Sequence, residues 1–403
     1  MLGMLLALLA PVPLQTTWTV DDDGPADFPT IQLAIDAASD GDLVLIEAGK
    51  YGHFHLAKAL RLVGATSGGP CVVDGGSSVS NVQDFALVGL RLDRLFVLGV
   101  SGEGLLDDCK VGPYVSPVYA PPALDVRDTS QLTVQRTAVV GGVFFDDLLY
   151  VDAPGVGASV VASGVAFVDC TIYGHGGSCI TGNSDGAVGL VITDASDVLL
   201  AATSVVGGNC DTPGIPVCSG IPANAVDVTD STLVVRGDAG DKLSAGFNES
   251  FPDMYAAAIQ QFKSNVVWSG VTIALGSAAG AQPAQAEPFA SVLGGKAPGD
   301  AASIGISGPP GTLGWLLLSG APGDVGLPGW EAHLWLEPSQ LFLSVPVVTT
   351  GQSTPVELAG VLPPDPLLAG VIVRGQVAFP GVASTVEPGT KLMGNPFAIA
   401  LRF

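Results

Sequence analysis

Five segments of the chain fall into phase about 33 residues apart, anchored on Ser130, Ser163, Ser196, Ser231 and Ser264, and no other feature restricts the fold so tightly. ALDVRDTSQLTVQRTAVVGG, starting at Ala123, lies over GLVITDASDVLLAATSVVGG, starting at Gly189, without a gap. A degenerate copy ends at Gly174, and KSNVVWSGVTIALG from Lys263 keeps the pattern; the copy from Ala225 is a residue shorter. Within each copy apolar side chains alternate: Leu132 and Val134 before Thr137 and Val139, Val165 and Phe167 before Cys170 and Ile172, Val198 and Leu200 before Thr203 and Val205. A period of two denotes strands. Short strands between glycine turns at this interval predict a solenoid, each coil burying its apolar face against its neighbours.

Composition agrees with such an architecture. Of 403 residues 48% are apolar and 13% charged, with 54 Gly and 30 Pro, which suits strands and turns around a continuous interior. Lys and Arg number 15 against 38 Asp and Glu, a net charge of -23. That surface repels phosphate backbones, so nucleic acid is excluded as a partner, and polyanionic polysaccharide is repelled unless divalent cations bridge the two. The opening MLGMLLALLAPVPL reads as the core of a signal peptide over residues 1–16, which predicts an extracellular or cell-surface location; no later apolar run is long enough for a membrane span.

Six cysteines in a secreted chain are expected to oxidise. Cys210 and Cys218 bracket a proline-rich excursion and form the favoured local pair, with Cys179 in competition. Cys109 and Cys170 share one inward rank, but the Thr137 coil stands between them, so they lie about 9 to 10 Å apart at ordinary strand spacing. That is too far for a disulfide.

Residues 17 to 276 are expected to form the solenoid. Ile31, Ala34, Ile35 and Ala38 recur at helical spacing, with Asp27 or Thr30 as cap, and predict a short helix covering the first open edge. Strands are predicted around 43–46, 54–56 and 60–63. From 277 to 308 an Ala/Gly/Pro-rich stretch reads as a linker or a last irregular coil, and 309 to 403 as a small antiparallel β-sandwich-like domain.

The run Gly24-Pro25-Ala26-Asp27-Phe28-Pro29-Thr30-Ile31-Gln32, then Ala34-Ile35-Asp36-Ala37-Ala38 and Gly49-Lys50-Tyr51, resembles the opening shared by pectinesterases and many secreted β-helices. The chain is thereby identified as similar to the right-handed parallel β-helix proteins of the pectin lyase-like superfamily. The fold class implied is all-β: a right-handed parallel β-helix with an N-terminal capping helix and a C-terminal β-sandwich-like domain. The opening forms the cap and first coil, so the resemblance implies fold before activity.

If Cys109, Thr137, Cys170 and Thr203 point inward, Asp108, Arg136, Asp169 and Ala202 form one outward column, in which the two aspartates would flank Arg136, with Lys110 in a parallel column. Polysaccharide lyases of this superfamily hold calcium on outward carboxylates beside a basic residue, which makes Ca2+ the one cofactor the resemblance leaves open. A cross-strand ion pair serving only the sheet is the plainer reading. Gly174-His175-Gly176-Gly177-Ser178, after Asp146-Asp147, resembles the Gly-His-Gly-x-Ser element of polygalacturonase-type glycosidases, with the Asn-x-Asp and Arg-x-Lys elements missing. The aligned copy carries Val206-Gly207-Gly208, so His175 also reads as the start of a turn. The catalytic candidates are therefore Asp108, Arg136, Asp169 and His175.

Lesser candidates are Asp21-Asp22-Asp23 for calcium, His53 and His55 at i, i+2 for a metal, Trp315, Trp330 and Trp335 as stacking faces for sugars, and the acceptor motif Asn248-Glu249-Ser250. Three functions fit: a secreted non-catalytic β-helix scaffold contacting glycans or another cell-surface component, a polysaccharide lyase or glycoside hydrolase on the same fold, and an adhesin-like passenger that binds protein. The absence of a complete catalytic set favours the first.

Overall fold

The computed structural model describes residues 15–116, 121–145, 152–177, 185–210, 220–248, 256–282, 286–294, 297, 299–362, 370–387 and 389–402. The signal-peptide core, Asp146-Asp147, Cys179 and Cys218 lie outside them. Each repeat is one coil. Gln131–Gln135 runs through a ten-stranded parallel sheet, here sheet I; the chain turns at Arg136, and Ala138–Val140 enters a second sheet, sheet II. After an excursion Ala158–Val161 crosses sheet II again, the chain turns at Ala162, and Gly164–Val168 takes the next place in sheet I. Both arms of sheet II join on the long strand Leu90–Leu98, and the excursions emerge between them.

Register confirms the phase read from the sequence. Leu132 pairs with Val165, Val165 with Val198, Val198 with Leu233 and Leu233 with Val266, all parallel and all in the interior. The shortened copy at Ala225 stays in line, because it turns the corner on Asp230 alone where the copy before it uses Asp194 and Ala195. The anchoring serines sit at a corner where the sheet ladder is interrupted. Ser196 Oγ accepts the Ser163 N–H at 3.2 Å and donates to the Thr193 carbonyl at 2.6 Å; Ser231 and Ser264 repeat the acceptor role for Ser196 and Ser231. Backbone groups that would be orphaned at the bend are thus paired one coil over.

At the opposite corner Thr137, Cys170 and Thr203 stack as predicted, all buried. Thr137 Oγ1 accepts the Cys109 N–H at 3.2 Å, and Thr203 Oγ1 accepts that of Cys170 at 3.2 Å. The thiols donate to carbonyls: Cys71 to Ile46, Cys109 to Leu87 and Asp107, Cys170 to Val134 and Val168. These three cysteines are unoxidised, so the expected disulfide framework does not form among them; the Cys210–Cys218 pairing falls partly outside the described residues.

A seven-residue helix, Ile31–Ala37, buries Ile31, Ala34 and Ile35 against the first two strands of sheet I, Thr17–Val20 and Leu43–Ile46. Thr30 caps it by accepting the Leu33 N–H.

The C-terminal part is antiparallel, and here the expected linker is corrected. Phe289–Gly294 and Ala301–Ser307, inside the stretch read as 277–308, pair with each other, and Ala301–Ser307 pairs on its other edge with Val356–Val361, as sheet III. Leu341–Val348, Leu313–Ser319, Ile372–Ala383 and Lys391–Ala400 make sheet IV, in that order. The two sheets share a core that includes Val292, Ile304, Leu316, Phe379 and Phe397. Alternation in 289–307 is carried partly by Ala and broken by Gly and Pro, which is why composition hid it.

This module lies on the outer face of sheet I. Leu43, Val63, Ala86, Val88 and Leu105 pack against Ile372, Ala398 and Ala400, and Ala166, Val168 and Ala201 against Phe289. Sheet I is therefore buried on both faces where the module covers it, as expected of strands that read apolar without a break, such as Val165–Val168. No helix among the described residues is long and apolar enough to cross a membrane.

Candidate functional site

Asp108, Arg136, Asp169 and Ala202 do occupy one corner column, each with positive φ. Their pairing differs from expectation. The Arg136 guanidinium binds Asp107, at 2.9 Å through Nε and 2.6 Å through Nη2, and donates to the Gly294 carbonyl of sheet III at 2.8 Å. Asp107 is wholly buried, where burial, the stronger influence, raises its carboxyl and Arg136 lowers it. Asp108 instead pairs with Arg402, whose other donors reach the Gly64 and Ala65 carbonyls. Asp169 accepts the Val292 N–H at 3.2 Å, and burial pushes its carboxyl up to about 7. The two aspartates therefore do not share Arg136, because the C-terminal module supplies each with another partner.

The same junction holds Arg374 against Glu103 and Arg236 between Glu287, at 2.9 Å, and Glu331, at 2.5 Å. Five of the eight arginines in the chain, Arg61, Arg136, Arg236, Arg374 and Arg402, thus join the coils to the module. Gln135 adds a two-point clamp, its amide donating to the Ala398 carbonyl at 2.6 Å and accepting the Ala398 N–H at 2.8 Å. Neither Gln135 nor Arg236 stood out in the sequence. The signal was available: they occupy the outward rank whose other members include Val168 and Ala201.

His175 lies elsewhere on the coil, in the glycine stack where the excursions leave sheet II. Its N–H donates to the Gly155 carbonyl, its carbonyl accepts from Ala187, and its Nδ1 lies 2.7 Å from the Gly176 carbonyl oxygen. None of these hydrogen bonds involves the column, so the four candidates do not form one constellation. A Cβ on Gly174 would stand 1.9 Å from the Ala187 carbonyl oxygen and one on Gly208 2.0 Å from that of His175, which accounts for the glycines around His175.

The lesser candidates separate as well. Carboxylate oxygens of Asp21, Asp22 and Asp23 lie within 4.8 Å of one another, with Asp21 accepting the Asp23 N–H and Asp22 that of Lys50. His55 contacts Ser78 Oγ at 2.9 Å through Nδ1. Asn248 is buried with its amide donating to the Gly220 carbonyl, and Glu249-Ser250 lie outside the described residues. Trp330 lies under the Lys391 ammonium at 5.4 Å, and Trp315 is 40% exposed.

Trp335 is the tryptophan with a setting suited to a ligand. Along the first outward rank of sheet I, Glu103 is covered by Arg374 and Gln131 is buried, but Gly164 brings no side chain, and beyond it Asp197 and Asn265 are exposed with Thr232 half-buried between them. The module lifts away here and leaves a cleft of about 590 Å3. One wall is Asp197, Thr232 and Asn265; the other is Trp335, His333 and Glu387. Gln376 holds the Trp335 backbone N–H at 2.9 Å, and the half-buried indole borders Ala166, Val168 and Ala201. His333 Nδ1 pairs with Asp324 at the rim. A second depression, of about 630 Å3 on the excursion side, borders segments outside the described residues.

Two parallel sheets in coil-by-coil register, traversed in the same order by every repeat, decide the fold. It is that of a parallel β-helix. Two solved structures are similar at a distance: that of pectate lyase Pel9A, at 12% identity and TM-score 0.39, covering 66% of this chain and 80% of that one, and that of the enzymatically active domain of Bacteriophage CBA120 tailspike protein 4, at 11% identity and TM-score 0.22, covering 80% of this chain and 60% of that one. Likenesses so remote bear on neither substrate nor activity. No family model matches the chain, and no curated protein matches it in sequence.

Proposed function

We propose that this β-helix is an extracellular, non-catalytic scaffold that contacts glycans through the cleft at Trp335. One observation carries this reading: the charged column on the outer face of sheet I is paired off and roofed by the C-terminal module, while the opening beside it combines an indole with hydroxyl, amide and carboxylate groups. Sugars present both apolar ring faces and hydroxyl groups, and such a lining answers both. The short N-terminal helix serves in this scheme as a cap on the first coil, and the paired arginines fix the module so that the cleft keeps its shape.

A polysaccharide panel tests the proposal. Binding without new reducing ends or unsaturated products is expected. Reducing ends, or absorbance from unsaturated sugars that depends on Arg136 or Lys110, would instead establish the glycoside hydrolase or lyase; capture of surface proteins with no glycan bound would establish the adhesin.

A further inference from the structure

The charge of the cleft is one-sided. Asp197 and Glu387 are exposed on opposite walls, Asp324 stands at the rim with His333, and Glu331 lies deeper. The one arginine in the lining, Arg236, is wholly buried and already divided between Glu331 and Glu287. Among the described residues no lysine lines the cleft. A carboxylate-bearing sugar would meet uncompensated like charge there, and a neutral one would leave the field unused.

Resting on the glycan reading above, we infer that the cleft selects a cationic amino sugar, a glucosamine-type residue whose free ammonium lies between Asp197 and Glu387 while its ring face meets Trp335. Gly164 leaves the floor open between Gln131 and Asp197, and any side chain there would be blocked, since a Cβ would stand 2.5 Å from the Ser130 carbonyl oxygen. The ammonium donates three hydrogen bonds and the carboxylates accept them, with the Thr232 hydroxyl and Asn265 amide on the same wall for ring hydroxyls.

Calorimetry of the full chain at low ionic strength, with a glucosamine hexamer, its N-acetylated counterpart, a galacturonate hexamer and hexalysine, tests this. The glucosamine hexamer is expected to bind about tenfold or more tighter than the N-acetylated one, with the preference shrinking in salt. Asp197→Asn combined with Glu387→Gln, both at exposed positions, should abolish that preference, bringing the two hexamers to within about twofold of each other. Equal affinity for the two hexamers would overturn the inference and leave the glycan reading standing. Hexalysine binding as tightly as the glucosamine hexamer would also overturn it, by showing that charge alone is read. If no sugar binds, the glycan reading itself falls.

Discussion

Thr203 Oγ1 accepts the backbone N–H of Cys170, 33 residues earlier, and donates to the carbonyls of Phe167 and Ala201, so one hydroxyl stitches two coils at the corner between the sheets. Thr203→Val keeps the shape and removes the stitch. It should cost about 1–3 kcal/mol, the penalty of leaving buried polar groups unpaired, and Thr203→Ser should recover most of it. Urea unfolding of the pair decides between a hydrogen-bonding role and simple packing.

The glycine stack gives a sharper contrast. Gly174→Ala would push a methyl to 1.9 Å from the Ala187 carbonyl oxygen, forcing adjacent coils apart, whereas Gly52→Ala meets nothing within 4 Å. The first is expected to unfold or fail to accumulate. The second should shift the thermal midpoint by no more than about 2 °C, as surface changes usually do.

Arg236 carries two buried carboxylates. Arg236→Met should destabilise by about 3–5 kcal/mol, because Glu287 and Glu331 then face each other without a counter-charge. Adding Glu287→Gln and Glu331→Gln should restore much of the loss. Limited proteolysis would report it as release and re-docking of the C-terminal module.

Stability should also fall with rising pH at the junction. Burial raises Asp169 to about 7 and Asp241 to about 6, both above the ordinary 3.8. For a raised carboxyl the stabilisation is fully present below the unfolded pKa and is lost as pH climbs through the folded one, here between about pH 4 and pH 7. Asp169→Asn can still accept the Val292 N–H and carries no charge to desolvate. Its thermal midpoint should exceed that of the native chain at pH 8 and match it at pH 4; an unchanged pH profile would remove Asp169 from the account.

Column membership was readable from the chain alone. Asp108, Arg136 and Asp169 fall in one file because coils of near-constant length repeat them, and a parallel ladder admits only that register. Partners were not readable. Arg402 reaches Asp108 across 294 residues and Arg374 reaches Glu103 across 271, with no spacing rule to announce either. The continuous apolar strands of sheet I were the one available sign that something covers its outer face, and the Ala-rich strands at 289–307 concealed what does.

The sequence by itself determined the coil: its period, its inward ranks and the serine and threonine bridges at its corners, since these depend on backbone hydrogen bonds between neighbours one repeat apart. Only the tertiary structure decided that the module lies on sheet I, that Arg136 belongs to Asp107, and that a cleft remains beside Trp335. Those outcomes come from fitting two finished surfaces together, and shape and charge complementarity between distant segments leave no periodic trace in either.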